Sequence, residues 1–223
     1  MIQAYIVKTA AGLEPVLAAE LREMGATGIR ELKRAVAFDG DRRMLYRANY
    51  ELRTALRVLI PVHAFSAYSE RDLYEGVYDI DWLQYMSVKD TLAIDTVVTG
   101  EVFKHSHYVG LLAKDAIVDQ FRERTQRRPD VNTSSPTLRI HVHIQGTRVE
   151  VALDASGDSL HRRNYRKDTV EAPLSEVLAA GMVLLSGWDK KSPFIDPMCG
   201  SGTIAIEAAM MAVGMPPQHK REG

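Results

Sequence analysis

The 223-residue sequence predicts an α+β protein whose last part begins a Rossmann-like α/β fold. Residues 1–62 carry the element order βαββαβ, which is typical of a ferredoxin-like sheet with helices on one face. Residues 63–155 predict a second α+β block around one long amphipathic helix. Residues 156–223 contain a linker, a helix, and then a short apolar run followed by a glycine-rich turn and another helix. These three segments are the predicted domains.

The first block combines short alternating strands with two helices. Leu13, Leu17 and Leu21 recur at helical spacing, and Gly25 is placed to end that helix. Asp41 is a typical N-cap for the second helix. The predicted elements are, in order, a strand at Ala4–Thr9, a helix at Leu13–Met24, strands at Ile29–Lys33 and Ala35–Phe38, a helix from Asp41 to about Asn49, and a strand at Arg57–Val62.

The second block is dominated by the longest predicted helix of the chain, His107–Arg124. Its apolar residues fall on one face, and its charged residues fall largely off that face. Ser69 and Asp72 form a capping pattern for an earlier helix. After the linker, a helix is predicted at Ala172–Ser186 with Pro173 in its first turn. The other predicted elements are a helix near Ser69–Tyr78, a strand at Thr91–Val98, and a strand pair at Leu138–Ile144 and Arg148–Asp154.

A glycine-rich loop near the end of the sequence carries the sharpest functional signal. The loop consists of Asp196, Pro197, Met198, Cys199, Gly200, Ser201, Gly202 and Thr203. The apolar pair Phe194 and Ile195 predicts a strand before it, and residues 204–209 predict a helix after it. Glycines allow backbone angles that are closed to other residues, and a helix N-terminus favours a carboxylate or a phosphate. The loop therefore predicts a small-molecule site.

Two other interpretations of this loop remain open on the residues alone. The order Gly200, Gly202 and Ala205 also satisfies a dinucleotide-binding fingerprint, and a strand–turn–helix corner can exist without any ligand. Cys199 is the only cysteine, so it cannot form an intramolecular disulfide or anchor a cysteine metal cluster. We interpret it as a small side chain in a tight loop rather than as a nucleophile.

Composition and charge limit the class of protein. No apolar run approaches the roughly 18 residues of a membrane span, and the N-terminus lacks the layout of a signal peptide. Together with the single cysteine, these features predict a cytoplasmic protein without a membrane partner. The net charge of −1 argues against indiscriminate coating of nucleic acid, but residues 101–170 hold twelve basic and nine acidic residues. A localised basic face is therefore expected in that segment.

Two groups of polar and basic residues are candidates for phosphate or base contacts. Lys104, His105 and Ser106 precede or begin the longest helix, and Lys114 lies further along it. Arginine binds phosphate bidentately and stacks on bases, but capping and solvated helix ends explain the same residues without RNA. His105 and His107 do not share a helix face, so no metal site is expected. The arginine-rich runs comprise Arg122, Arg124, Arg127 and Arg128, and then Arg162, Arg163, Arg166 and Lys167.

Several motifs resemble one enzyme family in the same order along the chain. The string Asp196–Thr203, running into Ile204–Ala209, is similar to the first motif of S-adenosylmethionine-dependent methyltransferases, in the form found in RNA guanine methylases. Phe103–Ser106, Lys114–Ile117 and a strand pair closing on Asp154 resemble the core of a THUMP domain. That domain is an RNA-binding module of enzymes that modify transfer and ribosomal RNA.

Further segments extend this resemblance over nearly the whole chain. Leu52–Val58 resembles the ferredoxin-like segment that precedes the THUMP domain in these enzymes. Ser159–Arg166, Glu171–Leu174 and Leu184–Trp188 resemble the entry into their methyltransferase domain, although Asn164 stands where the family commonly has glycine. The implied fold is an α+β ferredoxin-like N-terminal domain with a THUMP domain, followed by the beginning of a Rossmann-like α/β methyltransferase domain.

The resemblance also implies a cofactor, a partner and a reaction. The loop backbone Asp196–Thr203 would hold the methionine part of S-adenosylmethionine, and structured RNA would be the partner, ribosomal RNA first and transfer RNA as the alternative. The reaction would transfer a methyl group to the 2-amino group of a guanosine. The implied RNA-binding candidates are Lys104, His105, Ser106, Lys114, Arg122, Arg124, Arg128, Arg162, Arg163 and Arg166.

The sequence lacks the later Asn/Asp-Pro-Pro-Tyr/Phe motif with which family members hold the target amine. Pro216 and Pro217 are preceded by Met215 and followed by Gln218, so they do not match it. We therefore expect no catalytic residue in this chain and no methyl transfer by it alone. A stand-alone THUMP-type RNA-binding module and a fragment of an NAD-type enzyme remain the alternatives. Apolar surface is expected to be exposed at Ile204, Ile206, Met210 and Met211.

Overall fold

The computed structural model describes residues 2–165 and 174–221. The chain divides into two compact units, one made of residues 1–59 with 158–223 and the other of residues 60–157. The three-domain division at residues 62 and 155 stays a prediction. Arg166 and the first two residues of the helix predicted at Ala172–Ser186 lie outside the described residues.

The first unit begins with an antiparallel sheet. Its elements are β1 (Gln3–Lys8), α1 (Glu14–Glu23), β2 (Thr27–Leu32), β3 (Ala35–Gly40), α2 (Arg42–Glu51) and the start of β4 (Arg57–Ser66). The strands lie in the order β2-β3-β1-β4, and β1 is antiparallel to both of its neighbours. The predicted βαββαβ order and the ferredoxin-like arrangement are thereby confirmed.

Local chemistry explains where these elements begin and what they bury. Tyr5 and Val7 of β1 are fully buried, as the two-residue period of a strand requires for one face. Leu17 and Leu21 of α1 are buried on the same helix face. Asp41 caps α2, since its Oδ1 accepts a hydrogen bond from the Met44 N–H at 2.8 Å.

The second unit is built on a mixed sheet. Its elements are the rest of β4, α3 (Glu70–Tyr78), β5 (Thr91–Thr99), α4 (Ser106–Thr125), β6 (Asp130–Val131), β7 (Leu138–Gln145) and β8 (Arg148–Asp154). The strand order is β4-β8-β7-β5-β6, with β5 parallel to both β6 and β7, and with β7 antiparallel to β8. A core that includes Trp82, Ile117 and Phe121 joins the helices to the sheet.

The long helix α4 sets the outer surface of this unit. Val109, Ala113, Ala116 and Ile117 are buried on its inner face, so that charged positions such as Lys114 lie to the side or outside. The helix begins at Ser106 and ends before Gln126, whose φ of 57° is left-handed. The predicted helix is confirmed to within one residue at each end.

Two further helices, α5 (Glu176–Leu185) and α6 (Thr203–Ala212), complete the first unit. They pack together through a small apolar cluster that includes Ala180, Val183, Ala208 and Met211. Helix α5 also approaches α1 closely, since a Cβ atom on Gly181 would lie 2.6 Å from a methyl carbon of Leu13. This contact explains why a glycine stands in the middle of α5.

Two expectations for this region are wrong. Phe194 and Ile195 form no strand, and Ile195 is 83% exposed. A strand exists only when a neighbouring strand accepts its backbone hydrogen bonds, and none pairs with it among the described residues. Met210 and Met211 are buried rather than exposed, the latter in the cluster that α6 shares with α5. No helix in the described part of the chain is long and apolar enough to cross a membrane.

Candidate functional site

The glycine-rich loop folds as two consecutive tight turns that lead into α6. Asp196 Oδ1 accepts a hydrogen bond from the Met198 N–H at 3.1 Å, which closes the first turn. The Gly202 N–H donates to the Cys199 carbonyl at 2.7 Å and closes the second. The Ile206 N–H then donates to the Gly202 carbonyl at 2.8 Å, which is the first hydrogen bond of α6. The loop is therefore held mainly by its own backbone.

Both glycines of the loop have left-handed backbones. The φ angle is +51° at Gly200 and +76° at Gly202. A Cβ atom added at Gly200 would meet nothing within 4 Å, and one at Gly202 would meet only a carbon of Ile206 at 3.9 Å. Backbone conformation rather than crowding therefore requires glycine here, because other residues pay roughly 1–2 kcal/mol for it. The space on this side of the loop is open to a ligand.

The N-terminus of α6 has no side-chain cap. Its N-cap residue is Gly202, which has no side chain to accept from the first backbone N–H groups. Thr203 is buried, and its hydroxyl lies 3.3 Å from that of Ser201. A helix end of this kind carries a partial positive charge and suits a carboxylate.

Asp196 provides a second, independent indication of a ligand at the same loop. Its Oδ2 atom is shielded from solvent and has no hydrogen-bond partner among the described residues. An unsatisfied carboxylate oxygen is costly, and a ligand ammonium would satisfy it with a charge-assisted hydrogen bond. An acid beside an uncapped helix N-terminus matches a group that carries both an ammonium and a carboxylate, as an amino acid does. The loop therefore fits the methionine part of the expected cofactor.

The remaining loop side chains add little chemistry. Cys199 is exposed and forms no disulfide, and its Sγ lies 3.8 Å from the Gly200 carbonyl oxygen. Met198 is 89% exposed, and Pro197 is exposed as well. No group of three or more His, Cys, Asp or Glu side chains in the described ranges could hold a metal ion. A ligand at the loop can therefore contact its backbone groups and the Asp196 carboxylate, and the side of the two glycines leaves open space for it.

Arg163, predicted to contact RNA, is instead fully buried. It forms an ion pair with Glu207 of α6, and both side chains have no exposed surface. Glu207 also accepts a hydrogen bond from the Tyr165 hydroxyl at 2.9 Å. Burial raises the pKa of the Glu207 carboxyl, although Arg163 and Tyr165 oppose the shift; burial and the Glu207 charge raise the pKa of Tyr165. Arg163 is therefore removed from the RNA-binding candidates, because its charge is used inside the protein.

Three other predicted RNA-binding residues come together in the second unit. Lys114, Arg122 and Arg128 line a groove with a volume of about 520 Å³, together with Tyr74 of α3 and Asp119 of α4. We call this cavity the α4 groove; it runs between α4 and the segment 128–131. The α4 groove is a candidate surface for a phosphate-bearing partner.

The three cations of the α4 groove are balanced in number by three carboxylates that also line it, Asp115, Asp119 and Asp130. Lys114 Nζ lies 2.7 Å from Asp115, and Arg122 lies 3.6 Å from Asp119. The Tyr74 hydroxyl donates to Asp119 at 2.9 Å, and burial together with this carboxylate raises the pKa of Tyr74 to about 12. Partly exposed pairs of this kind are weak, so an RNA phosphate can compete for the cations.

The other candidates lie apart from the α4 groove or carry other contacts. Lys104, His105 and Ser106 are exposed at the start of α4, about 24 Å along the helix from Arg122 at 1.5 Å per residue. Arg124 pairs with Asp81 at 2.6 Å. In the other unit, Arg162 is exposed. The structure thus gathers three of the ten candidates into one groove.

Two residues of these sites were missed by the sequence reasoning. Tyr74 lies on α3, forty residues before Lys114, and only its helical position five residues after the N-cap Ser69 could have indicated its face. Glu207 stands within an otherwise apolar run, Ile204–Met211. A lone acid in an apolar helix usually has a buried partner, and that signal could have pointed to an arginine.

Family comparisons agree with this geometry. A model of the RlmL ferredoxin-like domain matches residues 4–59, and a THUMP domain model matches residues 67–154. A model of the RMKL-like methyltransferase domain matches residues 163–223. In sequence order, the chain therefore carries regions similar to a ferredoxin-like domain, a THUMP domain and an RMKL-like methyltransferase domain.

Similar proteins are longer than this chain. The ribosomal RNA large subunit methyltransferase K/L of Magnetococcus marinus is 41% identical over 97% of the chain, which covers 31% of that protein. The protein slr0064 of Synechocystis sp., named as a candidate RNA methyltransferase, is 41% identical over 98% of the chain, which covers 57% of it. The structure of SMU.472, a candidate methyltransferase complexed with SAH, superimposes with a TM-score of 0.87 at 31% identity, over 99% of this chain and 58% of that one.

Proposed function

We propose that this chain supplies the RNA-holding part and the first cofactor-binding loop of an S-adenosylmethionine-dependent RNA methyltransferase. The observation that carries the proposal is the unpartnered Asp196 Oδ2 beside the uncapped N-terminus of α6. The target is the 2-amino group of a guanosine, most directly in ribosomal RNA, since one relative bears that substrate class in its name. Transfer RNA is the alternative target.

The loop residues hold the methionine end of the cofactor. Asp196 binds its ammonium, and the backbone N–H groups at the start of α6 bind its carboxylate. Gly200 and Gly202 leave the loop backbone accessible on the ligand side. When bound, the cofactor supplies an electrophilic methyl group, and the protein contributes its position and the surrounding charge.

The α4 groove is the proposed contact for structured RNA. Arg122 and Arg128 can each bind a phosphate through two parallel hydrogen bonds, and Lys114 adds a third positive charge. Such contacts hold and orient an RNA without reading its sequence. At the other end of α4, the candidate surface is extended by Lys104, His105 and Ser106.

Methyl transfer by the full-length protein tests this proposal. Unmodified ribosomal RNA and transfer RNA are each incubated with the protein and with radiolabelled S-adenosylmethionine, and the nucleosides are then separated. We expect label in N2-methylguanosine from ribosomal RNA. Label confined to adenosine, or no transfer to either RNA, would contradict the proposal. Residues 1–223 alone are expected to transfer none, because they lack the motif that holds the target amine.

A further inference from the structure

The ion pair between Arg163 and Glu207 joins the segment after residue 158 to the helix that follows the cofactor loop. Glu207 lies four residues after Thr203, so the two share one face of α6, and both are buried. The carboxylate of Glu207 is satisfied on both oxygens, one by Arg163 and the other by Tyr165. The polar anchor of α6 is therefore one helical turn from the loop itself.

The same arginine reaches the ferredoxin-like part of the unit. Its second terminal nitrogen donates to the Arg53 carbonyl, in the segment between α2 and β4. The Arg53 side chain in turn donates to the Met215 carbonyl at 2.7 Å, just beyond the end of α6. Two contacts therefore tie α6 to residue 53. Arg163 connects Glu207 of α6 to the Arg53 carbonyl, and the Arg53 side chain binds the Met215 carbonyl after the helix.

Residues 53 and 54 are themselves held rigidly by the sheet and by α1. The backbone N–H groups of Arg53 and Thr54 donate to the carboxylate of Glu20 at 2.8 and 3.0 Å, and the Thr54 hydroxyl donates to it as well. The Thr9 hydroxyl donates to the Thr54 carbonyl at 2.7 Å. Glu20 is partly buried, and this burial raises the pKa of its carboxyl. The anchor point for α6 is therefore part of the ferredoxin-like core.

We infer that the Arg163–Glu207 pair is a positioning device that fixes the cofactor loop on the ferredoxin-like domain. An apolar cluster also holds α6, where Ala208 and Met211 meet α5. Apolar contacts are non-directional and permit small sliding, whereas directional hydrogen bonds from Arg163 to Glu207 and to the Arg53 carbonyl set one register. Cofactor affinity then depends on residues 1–59, none of which belongs to the cofactor loop. The inference rests on the proposed function of the loop.

Conservative variants of the pair test this inference. In Arg163→Lys the charge remains, but the planar fork that reaches both Glu207 and the Arg53 carbonyl is lost, and in Glu207→Gln the shape remains but the charge is lost. Each is expected to weaken S-adenosylmethionine binding by about tenfold in calorimetry, and to speed amide hydrogen exchange in residues 206–212. Affinity for structured RNA should stay unchanged, because the α4 groove lies in the other unit.

A matched pair in the same unit provides the control. Arg47 and Glu51 of α2 form a partly exposed ion pair at 2.8 Å that does not contact α6. Arg47→Lys and Glu51→Gln should leave both cofactor affinity and exchange at residues 206–212 unchanged. Unchanged exchange and affinity in the Arg163 and Glu207 variants would overturn the inference. If the unaltered chain binds no cofactor, the proposed function fails. Hydrogen exchange in α6 then decides by itself whether the Arg163–Glu207 pair fixes the position of the loop.

Discussion

Arg163 and Glu207, 44 positions apart in the sequence, form an ion pair from which solvent is completely excluded. A buried pair of this kind contributes little compared with apolar residues of the same volume, but losing one partner leaves an uncompensated buried charge. The pair thus specifies how α6 is seated rather than adding much stability. This distinction leads to a measurable difference between single and double substitutions.

Replacing Arg163 by Met should destabilise the chain by about 3–5 kcal/mol, since Glu207 would be left buried without its cation. The double variant Arg163→Met with Glu207→Leu should recover most of that loss, because neither charge remains. Urea denaturation followed by circular dichroism measures both free energies of unfolding. A double variant as unstable as the single one would show that the charge is not the cause.

Replacing Gly202 by Ala should weaken S-adenosylmethionine binding by about tenfold. At a φ of +76° an alanine costs roughly 1–2 kcal/mol. If the loop relaxes to relieve this strain, binding of the cofactor must restore the strained backbone conformation, and the affinity falls by the corresponding amount. Gly214→Ala is the matched control, because Gly214 has a φ of +66° and open space but lies after α6. Both variants should lose similar stability, while only the first loses cofactor affinity. Equal cofactor affinity in the two would argue against a ligand at the loop.

Replacing Arg122 or Arg128 by Gln should weaken binding to structured RNA. Each lost phosphate contact should reduce the slope of log affinity against log salt by about 1. Arg71→Gln serves as the comparison, since Arg71 is an exposed, ion-paired arginine of α3 that does not line the α4 groove. Filter binding over a salt series gives the slopes. If Arg71→Gln had the same effect as the groove variants, binding would depend on net charge and not on the α4 groove.

His161 should make stability depend on pH. Burial lowers the pKa of the His161 imidazole below its ordinary value of 6.5, and the charge of Glu176 only partly opposes this shift. The folded state therefore prefers the neutral ring, so its contribution is present above pH 6.5 and is lost as the pH falls through the folded-state pKa. Denaturation at pH 7.5 and 5.5 should show a smaller decrease for His161→Gln than for the unaltered chain. An identical decrease would mean that other groups cause the pH dependence.

Local patterns were enough to predict most of the fold. Asp41 caps α2 as its position before the helix indicates, and α4 follows the spacing of its apolar residues. The failures are non-local. Ile195 has the residue type of a strand but no partner strand, and Met211 is buried only because α5 packs over it. A sequence window cannot contain the neighbour that decides either outcome.

In the candidate sites, too, local features could be predicted and tertiary contacts could not. The turn geometry of the loop could be predicted, because glycine and aspartate act on their own backbone. Arg163 and Arg162 are indistinguishable as sequence neighbours, yet one is buried against Glu207 and the other is exposed. Tyr74 joins Lys114 in the α4 groove only through the packing of α3 on α4. Tertiary contacts therefore decide which of the predicted basic residues are available to a partner.

Binding of the 223-residue chain to a labelled structured RNA, titrated with salt and compared with duplex DNA, tests the central claim most directly. We expect tight binding that prefers RNA and weakens steeply as salt increases, because arginine–phosphate contacts release counterions. The Arg122→Gln variant should bind more weakly with a shallower slope. No binding to RNA at low salt, or equal affinity for duplex DNA, would contradict the assignment of an RNA-holding function to this chain.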